Sequence, residues 1–323
     1  MGSSYEHERS QAAPHRQARC WRPKPHHARW TPDFAGPLPI RGTRRHRGST
    51  LSKFMAMQFA AGDGKATFDH IYDEPDPRAY YRTLGALDYE IPQRAYPTFD
   101  KLLSGLDSSP VTVLDLCCSY GINAALMRCA LSIDDLFARY EDSSLDGLSS
   151  AELIASDRNF YAERLRPQPV RVLGLDLASN AIGYAREVKL LDDGWVEDLE
   201  NNDPSPELAA AVGEVDLITI TGGVGYITAR TFDRLLSVPG TRPKPLVAAF
   251  VLRQYSYAPI ADVLGEHGLI TEQEQGRTYP QRRFASQQEQ DAALQTLETL
   301  GIDTAGKEAE GRYHADFFLS APE

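Results

Sequence analysis

The run Val111-Thr112-Val113-Leu114-Asp115-Leu116-Cys117-Cys118-Ser119-Tyr120-Gly121-Ile122-Asn123-Ala124-Ala125 contains one complete structural event. An apolar strand ends in an acid, small residues follow, and a helix begins. Small residues let the backbone approach a ligand closely, and a helix start presents free N–H groups.

Outward from this turn the chain alternates between apolar strands and amphipathic helices. Strands are expected at Val111–Leu116, Val170–Asp176, Gly194–Asp198, Val215–Thr221 and Pro245–Arg253, and helices at Gly121–Leu131, Asn180–Leu190, Thr228–Leu236 and Pro259–His267. That alternation predicts a doubly wound α/β fold, with a mostly parallel sheet and helices on both faces. A polar strand candidate over Leu269–Phe284, a helix over Ser286–Leu300 and a final strand over Gly311–Leu319 complete it, the last inserted antiparallel. Residues 131–169 interrupt the alternation. Ser132-Ile133-Asp134-Asp135 and Ser149-Ser150-Ala151-Glu152 are cap-type helix starts. Two inserted helices are expected, with Leu136, Phe137, Tyr140, Leu153, Phe160 and Tyr161 as apolar contacts. They would form a lid over a substrate or cover a sheet edge.

The opening run resembles the first motif of class I, Rossmann-like S-adenosylmethionine-dependent methyltransferases, D-x-G-x-G-x-G. Asp115 and Gly121 match it, whereas Cys117 and Ser119 stand where glycines are usual. Three further segments follow in family order. Val170–Asp176 and the helix after it resemble the second motif, in which an acid, here Asp176, accepts the ribose hydroxyls; Leu177 follows it. Gly194-Trp195-Val196-Glu197-Asp198-Leu199 resembles the third, in which Asp198 would accept from the adenine amino group and Leu199 would touch the purine. Val215–Thr221 with Gly222 resembles the fourth, at the methyl end. The resemblance implies a seven-stranded sheet with an antiparallel last strand, S-adenosylmethionine as cofactor and methyl transfer to a small molecule. Each match has a plainer alternative: a helix cap for Asp176, a solvated acidic loop for Asp198.

Composition narrows the partners. Residues 1–54 hold eleven Lys and Arg against three acids, whereas the whole chain carries −11. The remainder is therefore strongly acidic and a poor match for a phosphate backbone, so no nucleic-acid partner is expected. The first 54 residues show no apolar period and are expected to be a disordered basic tail, with Met55 or Met57 serving as alternative starts. Residues 55–110 are expected as a helical segment covering the cofactor site, and 111–323 as the cofactor-binding domain. There is no apolar run of membrane-spanning length and no signal-peptide core, so a cytoplasmic protein is expected. Four cysteines without CxxC spacing or a histidine cluster predict neither a disulfide framework nor a metal.

No base is singled out. Tyr226, Arg253 and His70 are weak catalytic candidates. Tyr72, Tyr80, Tyr81 and Tyr226 form a group, and Tyr81 or Arg78 would reach the cofactor carboxylate, with plain aromatic packing as the alternative. Arg282 and Arg283, like Arg253, would meet an acidic acceptor group or lie on the surface. His267 reads as a helix cap and His314 as structural. Two other functions stay open: a nicotinamide-dependent oxidoreductase, although no G-x-G-x-x-G follows any strand, and a non-catalytic cofactor-binding or interaction protein.

Overall fold

The computed structural model describes residues 69–240 and 243–323. The tail expected over 1–54, and residues 55–68 after it, lie outside the described residues. The strands are β1 (Val111–Leu116), β2 (Val170–Asp176), β3 (Asp193–Val196), β4 (Leu217–Thr221), β5 (Leu246–Leu252), β6 (Leu269–Gln273), β7 (Tyr279–Arg283) and β8 (Arg312–Pro322). They form one sheet in the order β3-β2-β1-β4-β5-β8-β6, with β7 also paired to β8. Strands β1 to β5 are mutually parallel. β8 runs antiparallel between β5 on one side and β6 and β7 on the other. Gln273 pairs with Phe318 and Tyr279 with Ala315, so β6 and β7 follow one another along the same edge of β8. The single polar strand expected over Leu269–Phe284 is thus two strands in one lane, and the sheet has seven lanes.

The central strands are continuous apolar runs because both faces are covered. All six residues of β1 are buried. Alternation sends Val113, Val172 and Leu217 to one core and Leu114, Leu173 and Ile218 to the other. The helices are α1 (Asp69–Tyr72), α2 (Arg78–Gly85), α3 (Ile91–Gly105), α4 (Ile122–Arg128), α5 (Ile133–Glu141), α6 (Ser150–Ala162), α7 (Ser179–Glu187), α8 (Pro206–Val212), α9 (Ala229–Ser237), α10 (Ala258–Glu266) and α11 (Gln287–Thr299). α3 runs through Pro97. Burial of Ile91, Ala95 and Phe99 outweighs the lost backbone bond, with Phe99 edge-on to Phe250 at 5.7 Å. Among the described residues no helix is long and apolar enough to cross a membrane.

Both inserted helices start as the sequence predicts. Ser132 with Asp135, and Ser149 with Glu152, form reciprocal capping boxes. α5 packs on α2, where Tyr81 stacks on Tyr140 with ring centroids 4.4 Å apart. Arg78 donates to Leu145 O at 2.9 Å and Leu148 O at 3.0 Å, and its Nη2 pairs with Asp76 at 2.8 Å. Beneath lies Asp157, wholly buried, accepting from Tyr140 Oη at 2.9 Å, Tyr184 Oη at 2.8 Å and Arg139 Nε at 2.7 Å. Leu136, Leu153 and Tyr161 are buried beside it, with Phe137 and Phe160 packed partly buried against the same core.

Candidate functional site

The turn after β1 is bent by three left-handed residues: Cys117 at φ 54°, Ser119 at φ 47° and Gly121 at φ 78°. The first two carry a Cβ in a region that favours glycine, at a cost of about 1 kcal/mol each. The chain therefore keeps a glycine-type backbone where its motif has lost two glycines. The turn is tied to β2, with Cys117 N donating to Leu175 O at 2.8 Å and Ser119 N to Asp176 Oδ2 at 2.8 Å.

Asp115 does not reach the site directly. It is fully buried and accepts from Thr219 Oγ1 at 2.7 Å and Asn123 Nδ2 at 3.0 Å. Burial pushes its pKa up to about 7 against these bonds. Asn123 Nδ2 also donates to Thr221 Oγ1 at 3.0 Å. Asp115 thereby orients Asn123, and Asn123 lines the cavity.

That cavity, of about 570 Å³, opens at the carboxyl ends of β1, β2 and β4 and beside the loop after β3. Cys117, Ser119, Asp176, Leu177, Asp198, Leu199, Thr221 and Gly222 all line it. Asp176 also accepts from Ala178 N at 3.0 Å; burial raises its pKa while the backbone amides hold it down. Asp198 lies two residues beyond β3, in the loop, where it accepts from Asn201 Nδ2 at 2.6 Å and Glu200 N at 3.0 Å. The Asn201 amide lowers its pKa. After β4 the chain must pass closely: a Cβ on Gly222 would lie 2.5 Å from Gln281 Nε2, and one on Gly223 2.8 Å from Cys117 Sγ.

The rest of the wall comes from elements with weaker sequence signals. Tyr72, Asp73, Tyr80, Leu84 and Tyr89 cover one side from the segment before β1. Glu197, Glu200, Asn201 and Thr231 come from the loop after β3 and from α9, and Gln281 and Arg282 from β7. Arg282 is buried on Glu289, with Nη2 at 2.7 Å and Nη1 at 3.1 Å. Tyr226 lines the cavity and is 60% exposed.

Several sequence candidates lie elsewhere. Gly121 faces α7, since a Cβ there would meet Ala185 Cβ at 3.3 Å. Tyr81 is buried on Tyr140, and Arg78 is committed to Asp76 and the insertion. Arg253 pairs with Glu308 at 2.6 Å and donates to Asp303 O at 2.7 Å, away from the cavity wall. Arg283 pairs with Asp88 on the surface. The His70 side chain lies outside the described residues. No residue of 131–169 lines the cavity, and the insertion packs on α2.

The sheet has five parallel strands in the order 3-2-1-4-5, one antiparallel strand inserted beyond them, and a cavity at the tips of the first four. This is the architecture that the sequence resemblance implies, a mostly parallel sheet with an inserted antiparallel strand. No family model matches the chain, and no curated protein matches it. Among solved structures it is similar to a TehB-like S-adenosylmethionine-dependent methyltransferase from Corynebacterium glutamicum, at 15% identity over 68% of this chain and 84% of that one, TM-score 0.34. It is also similar to magnesium protoporphyrin IX methyltransferase from Synechocystis PCC 6803 with bound S-adenosylmethionine, at 13% identity over 83% and 91%, TM-score 0.36. A third is an S-adenosylmethionine-dependent methyltransferase from Aquifex aeolicus, at 13% identity over 79% and 99%, TM-score 0.36.

The cavity has a definite electrostatic character. Among the described residues five carboxylates line it (Asp73, Asp176, Glu197, Asp198 and Glu200), against the single guanidinium of Arg282, itself paired. Among the described residues, Ser119 Oγ, Asn123 Oδ1 and Gln281 Oε1 are buried without a hydrogen-bond partner in residues that line the cavity.

Proposed function

We propose that the chain is a methyltransferase that binds S-adenosylmethionine at these strand tips and methylates a small-molecule acceptor. The observation that carries the reading is an acidic cavity at the carboxyl ends of the parallel strands. It suits a nucleoside that bears a positive charge. The same wall disfavours a nicotinamide dinucleotide, whose pyrophosphate would face five carboxylates. A strongly acidic body also argues against a nucleic-acid acceptor, and Cys117, Cys118 and Cys129, which form no disulfide among the described residues, suit a reducing cytoplasm.

When bound, S-adenosylmethionine supplies an activated methyl group. The protein's part is to bind and orient. Asp176 is assigned to the ribose hydroxyls, since a carboxylate oxygen that already accepts one backbone amide has a lone pair left. Asp198 is assigned to the adenine amino group, with Leu177 and Leu199 against the purine. Ser119, which lies in the turn and lines the cavity, is assigned to the methionyl part. Thr221 and Gly222, with Tyr226, border the reacting end. Positioning of this kind can supply much of a displacement's acceleration.

The test is calorimetric titration of the purified chain with S-adenosylmethionine and, separately, with NADH. Saturable binding of the first and none of the second is expected. The reverse would replace this reading with the oxidoreductase one, and failure of both would leave an interaction protein.

A further inference from the structure

Tyr72 ends the short helix α1 and lines the cavity. A single helical turn does not hold itself in water, and this one is fastened on both sides of Tyr72. Tyr120, in the turn after β1, shares its hydroxyl proton between Glu74 O at 2.8 Å and Ile71 O at 3.2 Å. Asn180, at the start of α7, donates its backbone N–H to Asp73 Oδ1 at 2.7 Å and its Nδ2 to Asp73 O at 2.7 Å. Edge-on contact with Tyr80, at 5.6 Å between ring centroids, holds the Tyr72 ring. The segments after β1 and β2 that line the cavity therefore also set where Tyr72 stands.

The surroundings of its hydroxyl tell which part of the cavity it serves. Tyr89, Tyr226 and the Arg282 guanidinium act on that hydroxyl more strongly than the Asp176 carboxylate does, and such effects weaken with distance. Tyr89 in turn lies against the Thr221 hydroxyl at the tip of β4. The Tyr72 hydroxyl thus belongs to the stretch beyond Thr221, past the ribose position assigned to Asp176. Tyr72, Tyr80, Leu84 and Tyr89 wall that stretch. Aromatic rings favour edge-to-face or offset contact with a further ring. Burial raises the Tyr72 pKa, so the O–H keeps its proton at neutral pH and can donate. Among the described residues no hydrogen bond occupies that proton. The positive field of Arg282 favours an oxygen with partial negative charge at the same spot.

Resting on the reading above, we propose that the acceptor is an aromatic molecule carrying an oxygen that accepts a hydrogen bond, and that Tyr72 is the specificity-determining residue that donates to this oxygen. The acceptor ring meets the tyrosine wall, and the Tyr72 hydroxyl fixes which way the ring is turned toward the methyl end. Tyr120 stands between Ser119 and Gly121 in the first motif, so the turn assigned to the methionyl part is tied directly to this wall.

The experiment uses the full chain saturated with S-adenosylhomocysteine. Titration of that cofactor product comes first, and its failure to bind would sink the methyl-transfer reading itself. Three probes of one size follow: acetophenone, α-methylstyrene, in which a methylene replaces the oxygen, and cyclohexyl methyl ketone, in which the ring is saturated. Acetophenone is expected to bind several-fold more tightly than either of the others, although α-methylstyrene is the more apolar. Tyr72→Phe keeps the ring and loses only the hydroxyl. It should abolish the preference over α-methylstyrene, keep the preference over the saturated ketone, and leave S-adenosylhomocysteine affinity unchanged. Equal or tighter binding of α-methylstyrene or of the saturated ketone to the unsubstituted protein would overturn the proposal, as would no binding of any probe. A preference over α-methylstyrene that survives Tyr72→Phe would remove Tyr72 from the role. Loss of S-adenosylhomocysteine affinity in that variant would also overturn it, by moving the hydroxyl to the cofactor.

Discussion

At Asp115 a carboxylate sits wholly inside the protein, and burial lifts its pKa from the ordinary 3.8 to about 7. The folded state therefore keeps a proton that the unfolded chain gives up. Stability from this group is full below about pH 4 and is lost as pH rises to about 7, with a slope of at most about 1.4 kcal/mol per pH unit. Asp115→Asn should flatten that part of the profile, which urea melts at pH 5 and pH 8 would show; an unchanged slope would mean the carboxylate is already ionised. Asp176→Ala belongs to the same scale. It should weaken S-adenosylmethionine binding by about 1–3 kcal/mol, the range for a lost charge-assisted hydrogen bond. Unchanged affinity in calorimetry would remove Asp176 from the site. Ser119→Gly separates strain from contact. Relief of φ 47° should raise stability by roughly 0.5 kcal/mol, while loss of Oγ should lower cofactor affinity. The two effects run in opposite directions, so a melt and a titration on one sample distinguish them.

Among the elements, the sequence announces most clearly those whose signal is local. Ser132 with Asp135 and Ser149 with Glu152 are read without tertiary information, and both boxes form. The apolar runs that become β1, β2, β4 and β5 are equally plain, because burial on both faces leaves no polar alternation. α8 escapes notice because seven residues are too few to show a period; Ser205 and Pro206, which begin it, are its one cue. Gln281 is invisible as a site residue, and Arg282 cannot be told from its surface neighbour Arg283, because β7 reaches the cavity only through long-range pairing with β8. Tyr81 and Arg78 mislead for a related reason: the partners that claim them, Tyr140, Leu145 and Leu148, lie some sixty to seventy residues away in the insertion. Asp157 is the test of that insertion. Its removal leaves Arg139, only 14% exposed at the side chain, without its carboxylate. Asp157→Ala should cost about 3–5 kcal/mol in a denaturant melt. A loss under about 1 kcal/mol would show that the network is incidental to how the insertion holds α2.

For the whole molecule, charge is the property that reaches the cavity. The chain carries −11 overall even though its first 54 residues are basic, and the cavity repeats that bias with five carboxylates against one paired arginine. S-adenosylmethionine differs from its product in one charge, the sulfonium, so the acidic surroundings should act on the two ligands unequally. Salt shortens the reach of that field, from roughly 10 Å at 0.1 M to about 3 Å at 1 M. The affinity for S-adenosylmethionine should therefore fall as salt is raised across this range, and the affinity for S-adenosylhomocysteine should fall less. Parallel titrations of both ligands at the two salt concentrations measure the difference. Equal slopes would mean that the carboxylates are neutralised locally by the hydroxyls and amides they already hold. The ligand's charge would then be recognised by contact alone, and the acidic composition would serve solubility instead of binding.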